Sequence, residues 1–200
     1  MTGIIDYDTG NIRSVENALR RLGAEYVLSS DKRVLDACER LILPGVGEAA
    51  WAMSRLRERG LDAFIRSCTK PVFGICLGMQ LLCAWSEEGD AECLGIFPNR
   101  VRNFRRSIAE DRGLKIPQVG WNDIRSLEPE LFLGVPEGAY MYFVHSYFAE
   151  VNEYTASVTE YGPPFSSSLR KGNFMGCQFH PEKSGDDGEK ILYNFLKMKL

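Results

Sequence analysis

The first half of the chain switches repeatedly between two hydrophobic periods, and this limits the fold more than any other feature. "GIIDY" at 3–7 is a short apolar, β-branched run. In the following "NIRSVENALRRLG", Ile12, Val15, Ala18, Leu19 and Leu22 form one helical stripe and Gly23 is a stop signal. "AEYVLSS" reads as a strand, and Asp31 can cap a short helix through Cys38. "RLILPG" at 40–45 reads as a strand, 47–58 and 61–67 as helices, "PVFGI" as a strand and 77–86 as a helix. Strands alternating with helical segments imply βαβ units. The expected fold is α/β: three layers, with a mostly parallel central sheet and helices on both faces.

The second half changes character. "GIFPNRVRNF", "LKIPQVGWNDI", "YMYFVHSYFAEV", "EYTASVTEYG" and "FSSSLRKGNFMGCQF" are strand-like and separated by turn residues, so antiparallel strands should extend the same sheet. A last helix is expected over 187–198, with Ile191, Leu192, Phe195 and Leu196 on one face. "RRSIAEDRG" at 105–113 reads as a polar, exposed loop. With no linker, repeat or low-complexity tract, residues 1–200 are expected to form one domain.

A net charge of −3 without any basic block argues against nucleic acid as the main ligand. The start of the chain lacks the features of a signal peptide, and no apolar run is long enough for a bilayer, so a soluble, cytoplasmic protein is expected. The six cysteines include no CxxC pair and there are only two histidines, so no metal site is expected. In a reducing compartment the cysteines should be free thiols.

Cys76 raises a question. It ends the run Pro71–Ile75, with Gly74 and Gly78 on either side, at a strand-to-helix corner. A nucleophile on such a corner projects above the sheet edge, and glycines tolerate its backbone angles. Helix-start N–H groups favour thiolate and can stabilise an oxyanion. The plain alternative is a buried cysteine in a glycine-softened turn, and this stretch alone does not decide between them.

Thiolate acyl transfer needs a base and a group to orient it. His180, in "GCQFHPEKSG", directly follows an apolar strand, and in an extended chain Glu182 would share its face. His145 lies in an aromatic-rich strand and reads as a core or face histidine. Pro44-Gly45-Val46-Gly47 reads as a tight turn at a strand end whose N–H groups could face an anion.

Together, Gly74–Gln80 and Gln178–Glu182 resemble the class I, or triad, glutamine amidotransferases. "DYDTGNIRSVENAL", "LILPGVG", "VGWN", "YFVHSY" and "QFHPEKSG" narrow the resemblance to one branch, the glutaminase subunit of imidazole glycerol phosphate synthase. The resemblance implies that Cys76 attacks the glutamine amide, His180 carries protons and Glu182 orients His180, with a γ-glutamyl thioester then hydrolysed to glutamate. It implies an oxyanion hole at Val46 and Leu77, and glutamine contacts at Gly47, Gln80, Glu88, Ser146 and Tyr147. It implies no cofactor. It further implies a heterodimer with a (β/α)8-barrel cyclase that receives ammonia through a channel and makes imidazole glycerol phosphate and an aminoimidazole carboxamide ribotide in histidine biosynthesis. Asn11, Arg13, Gln118, Trp121 and Asn122 are the expected interface residues. Gln118 stands where many relatives carry histidine, and Asp8-Thr9 replaces the more usual small residues. Alternatives are the glutaminase of another synthase, such as pyridoxal phosphate synthase, or a non-catalytic regulatory binding module. Pro44–Gly47 and Gly120-Trp121-Asn122 speak against the first, and the intact Cys76, His180 and Glu182 against the second.

Overall fold

The computed structural model describes residues 1–8, 11–107 and 113–198. In β1 (Thr2–Ile5) all four residues are buried. Successive strand residues point to opposite faces, so Ile4 and Ile5 join separate apolar clusters. The same division recurs in β3 (Arg40–Leu43), where Ile42 enters one cluster and Leu41 and Leu43 the other. Strands buried on both faces require a helical layer on each side. On Ile4's side lie α1 (Ile12–Arg21) and α7 (Gly185–Lys197), the latter stacking Phe195 on Phe73 with ring centroids 5.1 Å apart. On Ile5's side lie α2 (Lys32–Asp36), α3 (Ala49–Glu58), α4 (Leu61–Arg66) and α5 (Leu77–Leu82). The Asp31 cap is present: its carboxylate accepts the Arg33 N–H at 2.9 Å.

With β2 (Tyr26–Ser29), β4 (Val72–Ile75) and β13 (Phe174–Cys177), the order β2-β1-β3-β4-β13 is parallel throughout. The sheet continues through β12 (Pro164–Lys171), β10 (Tyr147–Ala149), β7 (Arg100–Asn103), β5 (Trp85–Ser86) and β6 (Ala91–Glu92), with β11 (Thr155–Glu160) paired to β12. The contacts β13–β12, β12–β10 and β10–β7 are antiparallel, as expected for the second half. No helix of the described residues is long and apolar enough to cross a membrane.

Three expectations are corrected. The helix expected over 77–86 ends at Leu82, because Cys83 turns extended (ψ 175°) and the chain enters β5 beside β7. "YMYFVHSYFAEV" is two strands. Among the described residues β9 (Tyr140–His145) pairs only with β8 (Gln118–Asp123), in a separate ribbon, and after Ser146 the chain enters the main sheet as β10. Only 100–103 of "GIFPNRVRNF" is strand, and Phe104–Ser107 is a short helix, α6. Of the expected loop 105–113, residues 108–112 lie outside the described residues.

Candidate active site

The carboxyl ends of β3, β4 and β13 deliver three sequence motifs to one edge of the sheet. Cys76 follows β4 with φ 54° and ψ −112°. A non-glycine residue in such a region costs about 1–3 kcal/mol, which the surrounding fold must offset. Gly78 is needed for space: a Cβ there would lie 1.8 Å from the Leu43 carbonyl oxygen. The elbow and the Pro44–Gly47 turn therefore pack backbone to backbone. Leu77 begins α5, so its N–H has no acceptor within the helix. The Tyr7 hydroxyl, fully buried, donates to the Pro44 carbonyl at 2.7 Å and holds the turn from the other side.

His180 is 2% exposed. Its N–H donates to the Tyr142 carbonyl at 2.9 Å, and its own carbonyl accepts the Ser184 hydroxyl at 2.6 Å. Its Nδ1 lies 2.8 Å from Glu182 Oε1. The expected pairing is present, but for a different local reason. Only His180 is extended; Pro181–Lys183 is a 3-10 turn that curls Glu182 back under the ring. Burial disfavours the imidazolium, but Cys76 as thiolate and the Glu182 carboxylate outweigh it and raise the pKa to about 10, so imidazolium and thiolate form together by transfer of the thiol proton. Nε2 forms no hydrogen bond among the described residues.

A chain of amides approaches the same sulfur. Gln178, fully buried, donates through Nε2 to Cys76 Sγ at 3.6 Å. Its Oε1 accepts from Gln80 Nε2 at 2.7 Å, and Gln80 Nε2 also donates to the Tyr147 carbonyl at 3.0 Å. That carbonyl also accepts His145 Nδ1–H, at 2.7 Å. Burial lowers the His145 pKa to about 4, so this ring is neutral near pH 7 and is no partner of the thiol.

Cys76 and His180 open into a cavity of about 340 Å³. Val46, Gly47, Leu77 and Gln80 line it beside the thiol, and Glu88, Ser146 and Tyr147 line it too. All the residues expected at the substrate or the oxyanion thus meet in one cavity. Glu88 accepts the Ala49 N–H at 3.0 Å, and burial raises its pKa.

Of the expected interface residues, Asn11 and Arg13 are exposed, Trp121 is 55% exposed, and Asn122 is tied by its amide to the Glu160 carbonyl. Gln118 is corrected. It is buried, on the inner face of β8, with Oε1 placed 2.9 Å from His145 Nε2. Because the His145 Nδ1 proton is committed to Tyr147, the Gln118 amide must present its NH₂ group to Nε2. Its outward neighbours Val119 and Trp121 occupy the surface instead. Sequence reading assigned no role to Gln178 or Ser184, and placed Tyr7 only at the start of an expected docking loop, Tyr7–Arg13, whereas its side chain is buried and holds the Pro44 carbonyl. The available signal was a glutamine inside the apolar run "FMGCQF", which needs partners once buried.

The thiol on its strained elbow, the carboxylate-held imidazole and the cavity thus lie together at one sheet edge. The chain belongs to the class I glutamine amidotransferases: the model for "Glutamine amidotransferase class-I" matches residues 3–198. Its relatives are more specific. It is 52% identical over 195 residues to the imidazole glycerol phosphate synthase subunit HisH of Bacteroides fragilis, covering 98% of each chain. It is 43% identical over 210 residues to the HisH subunit of Shewanella oneidensis, covering 98% of this chain and 95% of that one. It is a member of the HisH branch. In fold it is similar to a solved glutamine amidotransferase at TM-score 0.74 and 22% identity, covering 98% of this chain and 97% of the other. Another, from Thermotoga maritima, matches at TM-score 0.67 and 14% identity, over 98% of this chain and 95% of that one.

Proposed function

We propose that this chain, as one amidotransferase domain spanning residues 1–200, is the glutaminase subunit of imidazole glycerol phosphate synthase in histidine biosynthesis. Cys76 Sγ gives its proton to His180 Nε2 and attacks the side-chain amide carbon of glutamine. The Leu77 N–H and a peptide N–H near Val46 stabilise the oxyanion. Collapse passes the His180 proton to departing ammonia and leaves a γ-glutamyl thioester. His180 then deprotonates the water that releases glutamate, with Glu182 holding the ring throughout. Gly47, Gln80, Glu88, Ser146 and Tyr147 bind the glutamine. The observation that carries this reading is the 2.8 Å His180–Glu182 clamp beside Cys76 at the floor of the cavity.

Ammonia is mostly protonated at neutral pH, so its release is useful only beside an acceptor site. The partner is a (β/α)8-barrel cyclase, docked as a heterodimer on Asn11, Arg13, Trp121 and Asn122 in the cytoplasm. Support comes from the outer face of the β8–β9 ribbon, where Val119, Trp121, Tyr140 and Val144 are exposed. Val144 also lines the cavity, so this apolar face reaches the site.

The test is glutamate release with and without the cyclase and its nucleotide ligand. Cyclase should stimulate release strongly, and Cys76→Ala should abolish glutamine-dependent synthesis while ammonia-dependent synthesis persists. Stimulation by a pyridoxal phosphate synthase alone, or full glutamine-dependent activity of Cys76→Ala, would refute the assignment.

A further inference from the structure

Gln178 reaches the Cys76 sulfur from within the protein, and the proton transfers through His180 make no use of it. A fully buried amide is placed by its hydrogen bonds, and here they leave one arrangement. The Tyr147 main-chain oxygen can only accept. Gln80 must therefore turn its NH₂ toward it, and the second proton of that NH₂ faces Gln178. Gln178 must answer with its oxygen, which leaves its own NH₂ directed at Cys76 Sγ. The sense of the relay is set at its far end by the main chain, and at its near end it can only donate.

We infer that Gln178 is a further catalytic residue, whose amide N–H stabilises the Cys76 thiolate and whose orientation is imposed by Gln80 and the Tyr147 carbonyl. The inference rests on the reading of Cys76 as nucleophile and deepens it. When the thiol proton moves to His180 Nε2, the electron pair left on sulfur gains a hydrogen bond from Gln178, already oriented before ionisation. Hydrogen bonds to charged acceptors are the strong ones, and here the donor needs no rearrangement as charge develops. Gln80 thereby has two roles, since it orients Gln178 as well as lining the cavity.

The experiment is the pH dependence of Cys76 alkylation by iodoacetamide in the full-length chain, read on the Cys76 peptide by mass spectrometry so that the other five cysteines do not interfere. Gln178→Met keeps the volume and removes the donor. Its alkylation midpoint should rise by about one pH unit, making reaction at a pH below both midpoints about tenfold slower. Gln178→Glu, nearly isosteric, turns an acceptor oxygen toward the sulfur and should raise the midpoint further. Gln80→Met frees the Gln178 amide to rotate and should move the midpoint the same way by less. A merely structural role would lower thermal stability without moving the midpoint. Gln178 variants that fold and titrate with the wild-type midpoint overturn the inference. If neither folds, Gln80→Met decides by the same criterion. The readout needs neither glutamine nor a partner, so a protein that never hydrolyses glutamine leaves the outcome readable. An unmoved midpoint in a working glutaminase overturns the role of Gln178 alone.

Discussion

The two histidines have opposite electrostatic settings, and each has a consequence in solution. His180 is held charged-prone by its neighbours, with a pKa raised to about 10. Its contribution to stability is complete below the unfolded value of about 6.5 and is lost as pH rises through the folded value. His145 is the reverse, at about 4. Its contribution is complete above about 6.5 and is lost as pH falls toward 4, because the unfolded chain takes up a proton that the folded one refuses. The amount at stake is on the order of 3 kcal/mol. Urea titrations between pH 7 and 4 should show stability falling more steeply in the wild type than in His145→Gln. Equal slopes would mean that His145 is not buried neutral. At this scale the sequence was informative wherever chemistry is local. Cys76, His180 and Glu182 lie in contiguous motifs and were readable, whereas Tyr7 and Gln178 owe their roles to partners 37 and 102 residues away.

Among the elements, the Pro44–Gly47 turn has the most at stake, since it faces the thiol on one side and is pinned by Tyr7 on the other. Tyr7→Phe removes one buried hydroxyl and leaves the Pro44 carbonyl without that donor. Thermal unfolding should register a loss of about 1–2 kcal/mol. In complex with the cyclase, glutamine-dependent synthesis should fall more than ammonia-dependent synthesis, because the turn serves only the first. An equal fall in both would show that the bond stabilises the fold without shaping the turn. The βα units of the first half were legible because their hydrophobic period changes sharply from strand to helix. The break at Ser146 was not, because Tyr140–His145 and Tyr147–Ala149 share one aromatic-rich pattern and differ only in partners. The first pairs with β8; the second lies between β7 and β12. Period-two alternation likewise puts Gln118 and Trp121 on opposite faces of β8, but only the pairing of Gln118 with His145 reveals which face is inward.

The molecule as a whole gathers its chemistry at one sheet edge and sets an exposed apolar ribbon beside it. Trp121 stands opposite Tyr142 on that ribbon, ring centroids 6.0 Å apart. Exposed tryptophans that become buried on association are frequent hot spots. Trp121→Ala should weaken cyclase binding by about 2 kcal/mol, a loss of roughly thirtyfold in affinity, with little change in the unfolding temperature of the free chain. Isothermal titration calorimetry against the cyclase measures the first and differential scanning fluorimetry the second. Unchanged affinity would remove this ribbon from the interface.

The carbonyl that orders the two glutamine amides belongs to the peptide backbone. A substitution at position 147 exchanges a phenol for something else and leaves that oxygen where the strand puts it. Drift in sequence can therefore retune the sulfur through Gln80 or Gln178, but the direction in which the protons point is inherited with the path of the chain.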